Sequence, residues 1–345
     1  MSRKKTKGWF ILILLVLTGI AAFFVYTKFF GPSVKLGKNY TYVYIETGDK
    51  FDDVIDHLKE ENVIKDEQSF SWLAHKMDLE NSINPGKYRI TNGMSLRQII
   101  NLIKYNKQEK IKLSFNTQIR TLDEFVNYTA EKLEMNESEI EEYLSDDKKL
   151  EENFSLDPEN CFGLIVPGVY EVSWAIKTDE LFDLLKLSYK NIWNEERLSK
   201  AKKIGFSPAE VITIASIVQS ESGIRSEQEK IAGVYINRLN KGMLLQADPT
   251  LKFANKNFDA QRVYDADKET NSPYNTYKFK GLPPGPICLV GKQAIDATLN
   301  YTRHKYLFFC ANCKLNGYSE FSVTYEQHKK FADAYQNAMD KKGIK

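Results

Sequence analysis

Histidine is scarce in this chain: there are four in 345 residues, at positions 57, 75, 304 and 328, and no two stand at a metal-ligand spacing. The patterns H-E-x-x-H and G-x-S-x-G are both missing. That leaves no zinc-hydrolase helix and no serine nucleophile elbow to argue from. Cysteine is equally thin, with Cys161, Cys288, Cys310 and Cys313 only. The last two form a C-x-x-C, but without a second such pair it is half a zinc motif, so all four cysteines are expected to be structural, with room for a local disulfide. Surplus charge of one sign is also lacking. The formal net charge is +2, and setting aside the four basic residues before Gly8 leaves −2. A chain so balanced has no electrostatic footprint for nucleic acid. No metal and no cofactor is expected.

What the chain does have is length and apolar content for two or three domains, with 42% hydrophobic and 27% charged residues. Its first thirty residues stand apart. Arg3, Lys4, Lys5 and Lys7 precede an apolar run from Trp9 that continues to Phe30 with only Lys28 charged. The run is long enough to cross a bilayer, and the basic cluster before it puts the N-terminus in the cytoplasm. No Ala-x-Ala follows, so an uncleaved anchor is expected, with everything after about Phe30 outside the cytoplasmic membrane.

Tyr40–Glu46 alternates aromatic and β-branched residues and ends at Thr47-Gly48-Asp49, which reads as a strand and a turn. Phe51, Val54, Ile55 and Leu58 mark a helix, Ser69–Met77 another, Pro85–Ile90 a turn into a strand, and Met94–Lys104 a closing helix. A strand at Ile111–Phe115, a turn at Asn116–Gln118 and a helix from Leu122 repeat the strand-turn-helix order weakly. The acidic run Glu131–Glu152 reads as a solvated helical face and connector. Cys161–Val172 is expected to be a buried bend or strand, and Thr178–Trp193 a helix. Leu244–Thr250 reads as a turn, Asn255–Asn271 as irregular, and Gly281–Ile287 as a shaped loop because of its prolines. Strands at Tyr306–Cys310 and Phe321–Thr324 and a helix from Tyr325 complete the chain.

The most informative stretch is Ser207–Gly242. Ser207 with Glu210 forms a capping box, Pro208 takes the first helical position and Gly223 supplies a stop. Ser226 with Glu229 repeats the device, and Gly242 ends the second helix. Val211, Ile214, Ala215, Val218 and Glu221 follow helical spacing, so a carboxylate continues the stripe that the helix buries. Lost hydration raises the pKa of such a group and makes it a proton donor usable near neutral pH. The alternative is a last-turn Glu in solvent, or one paired with Arg225 or Lys230.

Four blocks, Ala215–Ser222 (ASIVQSES), Ile231–Thr250, Ser272–Tyr277 (SPYNTY) and Gly281–Ile287 (GLPPGPI), together resemble the YceG-like (MltG) family of endolytic murein transglycosylases. The resemblance covers nearly the whole chain and implies an N-terminal membrane anchor and a LysM-like module over Tyr40–Lys104. The family's A-S-I-V-E-x-E-T block puts its catalytic Glu on Glu221, with Gln219 at its preceding Glu. The family's E-G-x-x-x-P-D-T-Y block is altered over Phe162–Tyr170, which lacks its Glu and Asp. Gln246, Asp248, Tyr274, Asn275, Tyr277 and Glu227 are the candidates for glycan contact, since amides bond hydroxyl and acetamido groups and aromatic faces pack on sugar rings. Each has a structural alternative: Asp248 bracing the turn before Pro249, Glu227 favoured by a helix dipole, Asn275 holding a turn, and the tyrosines packed in a core.

The expected fold is α+β, with residues 1–8 a cytoplasmic tail, 9–30 the transmembrane helix, 38–107 a LysM-like small α+β module, 108–156 a second strand-helix module and connector, and 157–345 a mixed α/β catalytic domain. The resemblance implies a lytic transglycosylase cutting nascent peptidoglycan strands to leave 1,6-anhydromuramyl ends, anchored in the inner (cytoplasmic) membrane with its catalytic domain on the periplasmic side. It also implies work beside peptidoglycan synthases (penicillin-binding proteins) and termination of strands. The alternatives are a non-catalytic, membrane-anchored peptidoglycan-binding scaffold and a hydrolase using two carboxylates.

Overall fold

A computed structural model describes residues 3–116, 118–260 and 263–342. The chain is a mixed α/β protein of many helices and small sheets. It divides into two compact units: residues 1–112, 132–135 and 170–177 form the first, and residues 113–131, 136–169 and 178–345 the second.

In the first unit, helix α1 (Arg3–Phe30) is followed by strand β1 (Tyr40–Ile45), helices α2 (Phe51–Glu60) and α3 (Glu67–Lys76), strand β2 (Gly86–Thr91) and helix α4 (Leu96–Lys104). Strands β1 and β2 pair antiparallel, Tyr40 opposite Thr91 and Ile45 opposite Gly86. The pleat sends alternate side chains to opposite faces. Thr41, Val43 and Ile45 turn inward, and Val43 and Ile45 join Tyr88, Ile90, Val54, Leu58, Phe70, Ile99 and Ile100 in one core. The unit is completed by residues from further along the chain. Glu134 accepts the Thr47 hydroxyl at 2.7 Å and donates its own N–H to the Trp174 carbonyl at 2.9 Å. The Trp174 ring meets Tyr44 edge-on at 4.9 Å, and Ser173 donates to Gln108 at 2.7 Å.

Among the described residues no helix is long and apolar enough to cross a membrane. The side chains of the basic cluster Arg3, Lys4, Lys5 and Lys7, of Phe10, Ile11, Ala21, Ala22, Phe24 and Val25, and of Lys28 lie outside the described residues. The expected anchor is therefore no feature of the fold as described and is taken up as a proposal below.

Strands β3 (Ile111–Phe115) and β4 (Gly168–Val172) form a sheet of their own. Between them lie α5 (Leu122–Lys132), α6 (Glu137–Leu144) and α7 (Asp147–Phe154), and after β4 come α8 (Thr178–Ile192) and α9 (Glu195–Ile204). The acidic run is not merely solvated: Ile140, Tyr143, Leu144 and Leu150 are buried on its helices, with Tyr143 stacked on Phe182 at 3.8 Å.

The centre of the second unit is α10 (Pro208–Glu221), with α11 (Arg225–Asn240) and α13 (Lys292–Leu299) packed on it. The Ser207–Glu210 capping box and Pro208 at the helix start are both in place. Every residue from Val211 to Val218 is buried, so α10 is covered all round and does not present a single apolar stripe. Its polar members turn inward on themselves: Thr213 and Ser216 donate to carbonyls of the preceding turn. Helix α10 ends two residues before Gly223, with Ser222 extended. The expected second box does not form. Helix α11 starts at Arg225 behind Ile224, and Glu229 reaches Arg225 at 3.2 Å where the box would need it to reach back to the Ser226 amide. Gly242, at φ +63°, ends that helix as expected.

Helix α12 (Asp248–Ala254) occupies part of what reads as a turn, because Pro249 opens a helix. Strands β5 (Phe308–Ala311) and β6 (Ser319–Ser322) pair antiparallel, Phe308 opposite Ser322, and α14 (Tyr325–Lys341) lies against them. All four cysteines are free thiols, so Cys310 and Cys313 form no local disulfide.

Candidate active site

Glu221 is the last residue of α10, and its carboxyl faces a cavity of about 580 Å³ lined also by Tyr235, Arg238, Gln246, Asp248 and Tyr277. The second wall of that cavity comes from Phe308, Phe309 and Cys310 of β5 and from Tyr325 and His328 of α14. Glu221 keeps a solvent-facing edge, while protein atoms surround its carboxyl on the remaining sides. Burial pushes its pKa up to about 7, against the opposing effect of one hydrogen bond. That bond comes from Tyr235, whose buried hydroxyl donates to Oε1 at 2.8 Å. Asp248 across the cavity adds a smaller upward push and Lys252 a smaller downward one. The two cations that the sequence suggests as partners for Glu221 are engaged elsewhere, Arg225 with Glu229 and Lys230 with Glu227.

Asp248 is the first residue of α12 and remains exposed on the cavity, accepting the Tyr277 hydroxyl at 2.5 Å. Each carboxyl of the site is thus held by one tyrosine. Burial and then Asp248 raise the Tyr277 pKa, and burial with Glu221 raises that of Tyr235, so both phenols stay protonated as donors. Arg238 builds the floor. Its guanidinium donates to the carbonyls of Leu307 at 2.6 Å, Leu244 at 3.0 Å and Leu245 at 2.9 Å, tying β5 to the segment before α12. Gln246, exposed on the cavity at a left-handed φ of +50°, accepts from the same guanidinium at 3.2 Å.

The remaining candidates are placed elsewhere. Glu227 is buried, 1% exposed, and accepts the Ser319 N–H at 2.7 Å and Lys230 at 3.4 Å, so it fixes the β5–β6 hairpin to α11. Asn275 is fully buried. Its amide donates to the carbonyls of Lys268 and Thr270 and accepts from the Tyr277 N–H, which shapes the turn that presents Tyr277. Tyr274 is half-buried and packs on Phe253 at 4.6 Å, against the core. The structure therefore brings Glu221, Gln246, Asp248 and Tyr277 together and leaves Glu227, Asn275 and Tyr274 in supporting positions.

Gln219, where the resemblance puts a Glu, is a brace. Its amide donates to the Leu289 carbonyl and accepts from the Gly291 N–H, both at 2.8 Å. A carboxylate could accept the second bond but not donate the first. In the altered Phe162–Tyr170 block, Phe162 and Leu164 are buried in a single 3₁₀ turn that leads to β4. Tyr235, Arg238, Phe308, Tyr325 and His328 carried no signal in the sequence that set them apart from core residues.

The sequence profile described as the YceG-like family matches residues 43–334. An endolytic murein transglycosylase of Bacillus subtilis (strain 168) is 29% identical over 340 residues, covering 94% of this chain and 92% of that protein. An endolytic murein transglycosylase of Streptococcus pneumoniae serotype 2 (strain D39) is 32% identical over 155 residues, which are 44% of this chain and 28% of that protein. Among solved structures, a crystal structure of a YceG-like protein from Listeria monocytogenes superposes with a TM-score of 0.51 and 26% identity, covering 85% of this chain and 99% of that one.

Proposed function

The chain belongs to the YceG-like family, and from that premise we propose that it is an endolytic murein transglycosylase in which Glu221 is both acid and base. The observation that carries this reading is a largely buried carboxyl, protonated up to about pH 7, at the edge of a cavity of about 580 Å³.

The reaction is cleavage of the β-1,4 bond between N-acetylmuramic acid and N-acetylglucosamine. Protonated Glu221 gives its proton to the glycosidic oxygen, which leaves with the bonding pair as the new hydroxyl of N-acetylglucosamine. The resulting carboxylate, stabilised by the Tyr235 hydroxyl, takes the proton of the muramyl C6 hydroxyl, and that oxygen closes on C1. The product is a 1,6-anhydromuramyl end, no water is consumed and Glu221 regains its proton. One carboxyl suffices, where glycoside hydrolases ordinarily use two. Asp248, held by Tyr277, and Gln246 supply polar contacts, while Phe308 and Tyr325 offer ring faces for the sugars.

The same reading includes an anchor over Trp9–Phe30 with the N-terminus in the cytoplasm, and the enzyme working on nascent strands beside peptidoglycan synthases and terminating them. It also takes residues 38–107 as a LysM-like module, with β1, α2, α3 and β2 in that order.

Mass spectrometry of purified peptidoglycan digested by the full chain in detergent tests the chemistry. Wild type should yield anhydromuramyl ends, and Glu221→Gln should lower the rate by about 10²- to 10⁴-fold. Ordinary reducing ends would mean a hydrolase using Asp248 as second carboxylate. Intact glycan with wild type would leave the scaffold reading.

A further inference from the structure

A second cavity, of about 300 Å³, lies immediately beyond the acid. Consecutive residues divide between the two spaces: Glu221 and Asp248 line the larger one, while their neighbours Ser220 and Pro249 line the smaller. The smaller cavity has a different chemistry. Phe253 and Phe258 give it an aromatic wall, their rings 6.1 Å apart, and Arg120 and Lys252 give it two positive charges. The Arg120 guanidinium lies 5.2 Å over the Phe258 ring. It pairs with Asp259 at 3.2 Å, but that carboxylate is 91% exposed, so water competes for it and a better-placed anion can displace it. Lys252 lines the same cavity, and its charge is felt at Glu221. A guanidinium over an aromatic ring, with an ammonium lining the same cavity, forms a receptor for a carboxylate on a partly apolar body.

Resting on the glycan reading above, we propose that this second cavity binds a carboxylate of the peptide stem carried by the muramyl residue at the cleavage point, with Arg120 and Lys252 as its ligands. The stem leaves from the sugar whose C1 is attacked, so a receptor for it belongs next to the acid. The enzyme then distinguishes strands that carry acidic stems from strands whose stems are neutral.

Binding of soluble glycan fragments to the full chain in detergent, in the Glu221→Gln form so that nothing is cut, tests this. Fragments with free-acid stems are compared with the same fragments after their stem carboxyls are converted to carboxamides. The amidated fragments should bind about tenfold more weakly. Adding Arg120→Gln and Lys252→Gln should bring the acid fragments down to the affinity of the amidated ones. Equal affinity for the two fragments with Arg120 and Lys252 intact would overturn the proposal while leaving the glycan reading standing; failure to bind either would remove both. The ligand comparison needs no substitution at the cavity, so it holds whether or not the double variant folds.

Discussion

A carboxyl at the end of a buried helix is held between two opposing effects. Burial raises the Glu221 pKa to about 7, while the Tyr235 hydroxyl, donating at 2.8 Å, favours the ionised form. Tyr235→Phe removes the second effect and leaves the first. The Glu221 pKa should climb, and the alkaline limb of the pH profile of kcat/KM should move to higher pH, because the acid stays protonated further up. A limb that stays in place would show that this contact does not tune the acid. Stability moves the other way with pH. Between the unfolded carboxyl's pKa near 4.5 and the folded value of about 7, the folded state holds the proton more tightly, so stability falls as pH rises through that window. Glu221→Gln keeps an acceptor for Tyr235 but has no charge to bury. It should therefore melt higher than wild type at pH 8, by on the order of 2 kcal/mol of stability, and match it at pH 4. Glu221 was legible in the sequence as a carboxylate at the end of an apolar helix, in the block that resembles the family's catalytic one. Tyr235 was not, since an aromatic on a buried helix looks the same whether or not its hydroxyl meets a carboxyl. Asn275 misled for the converse reason: an amide suited to sugars is equally suited to the Lys268 and Thr270 carbonyls.

At the scale of elements, α10 and α11 touch their surroundings on every side, and the closest approach is at Gly233. A Cβ there would stand 2.5 Å from the Thr302 carbonyl oxygen and 2.7 Å from His304 Nε2. Gly233→Ala should force α11 away from the 302–304 segment and cost about 1–3 kcal/mol, read as a lowered melting temperature. An unchanged melt would mean that this segment yields freely. Capping explains which elements could be read in advance. Ser207, Pro208 and Glu210 act within one turn, so α10 was legible at its start. Ser226 and Glu229 carry the same letters, but Arg225 draws Glu229 away and the box is lost. Helices α9, α12 and α13 were missed; α12 opens on an Asp-Pro pair that turns also favour. The far wall of the cavity, from Phe308 to His328, depends on a hairpin and a helix that begin 87 residues after Glu221 in sequence, and no local pattern encodes that.

For the molecule as a whole, the proposed anchor over residues 9–30 is what a labelling experiment can decide. Cys313 is an exposed free thiol in the turn between β5 and β6, and the other three cysteines are less exposed. A membrane-impermeant maleimide should label Cys313 in intact spheroplasts if residues 9–30 anchor the chain with its N-terminus in the cytoplasm. Labelling only after lysis would overturn that orientation.

The first unit is encoded in three pieces, ending at Lys112, Met135 and Lys177. Glu134, Ser173 and Trp174, which complete it, are specified among codons that otherwise belong to the second unit. A genetic crossover after the codon for Lys112 would give an offspring gene a first unit with the Tyr44 ring uncovered and the Thr47 hydroxyl deprived of its acceptor. An exchange that keeps these contacts has to carry the sequence through Lys177, which makes the first unit poorly suited to transfer as an independent cassette.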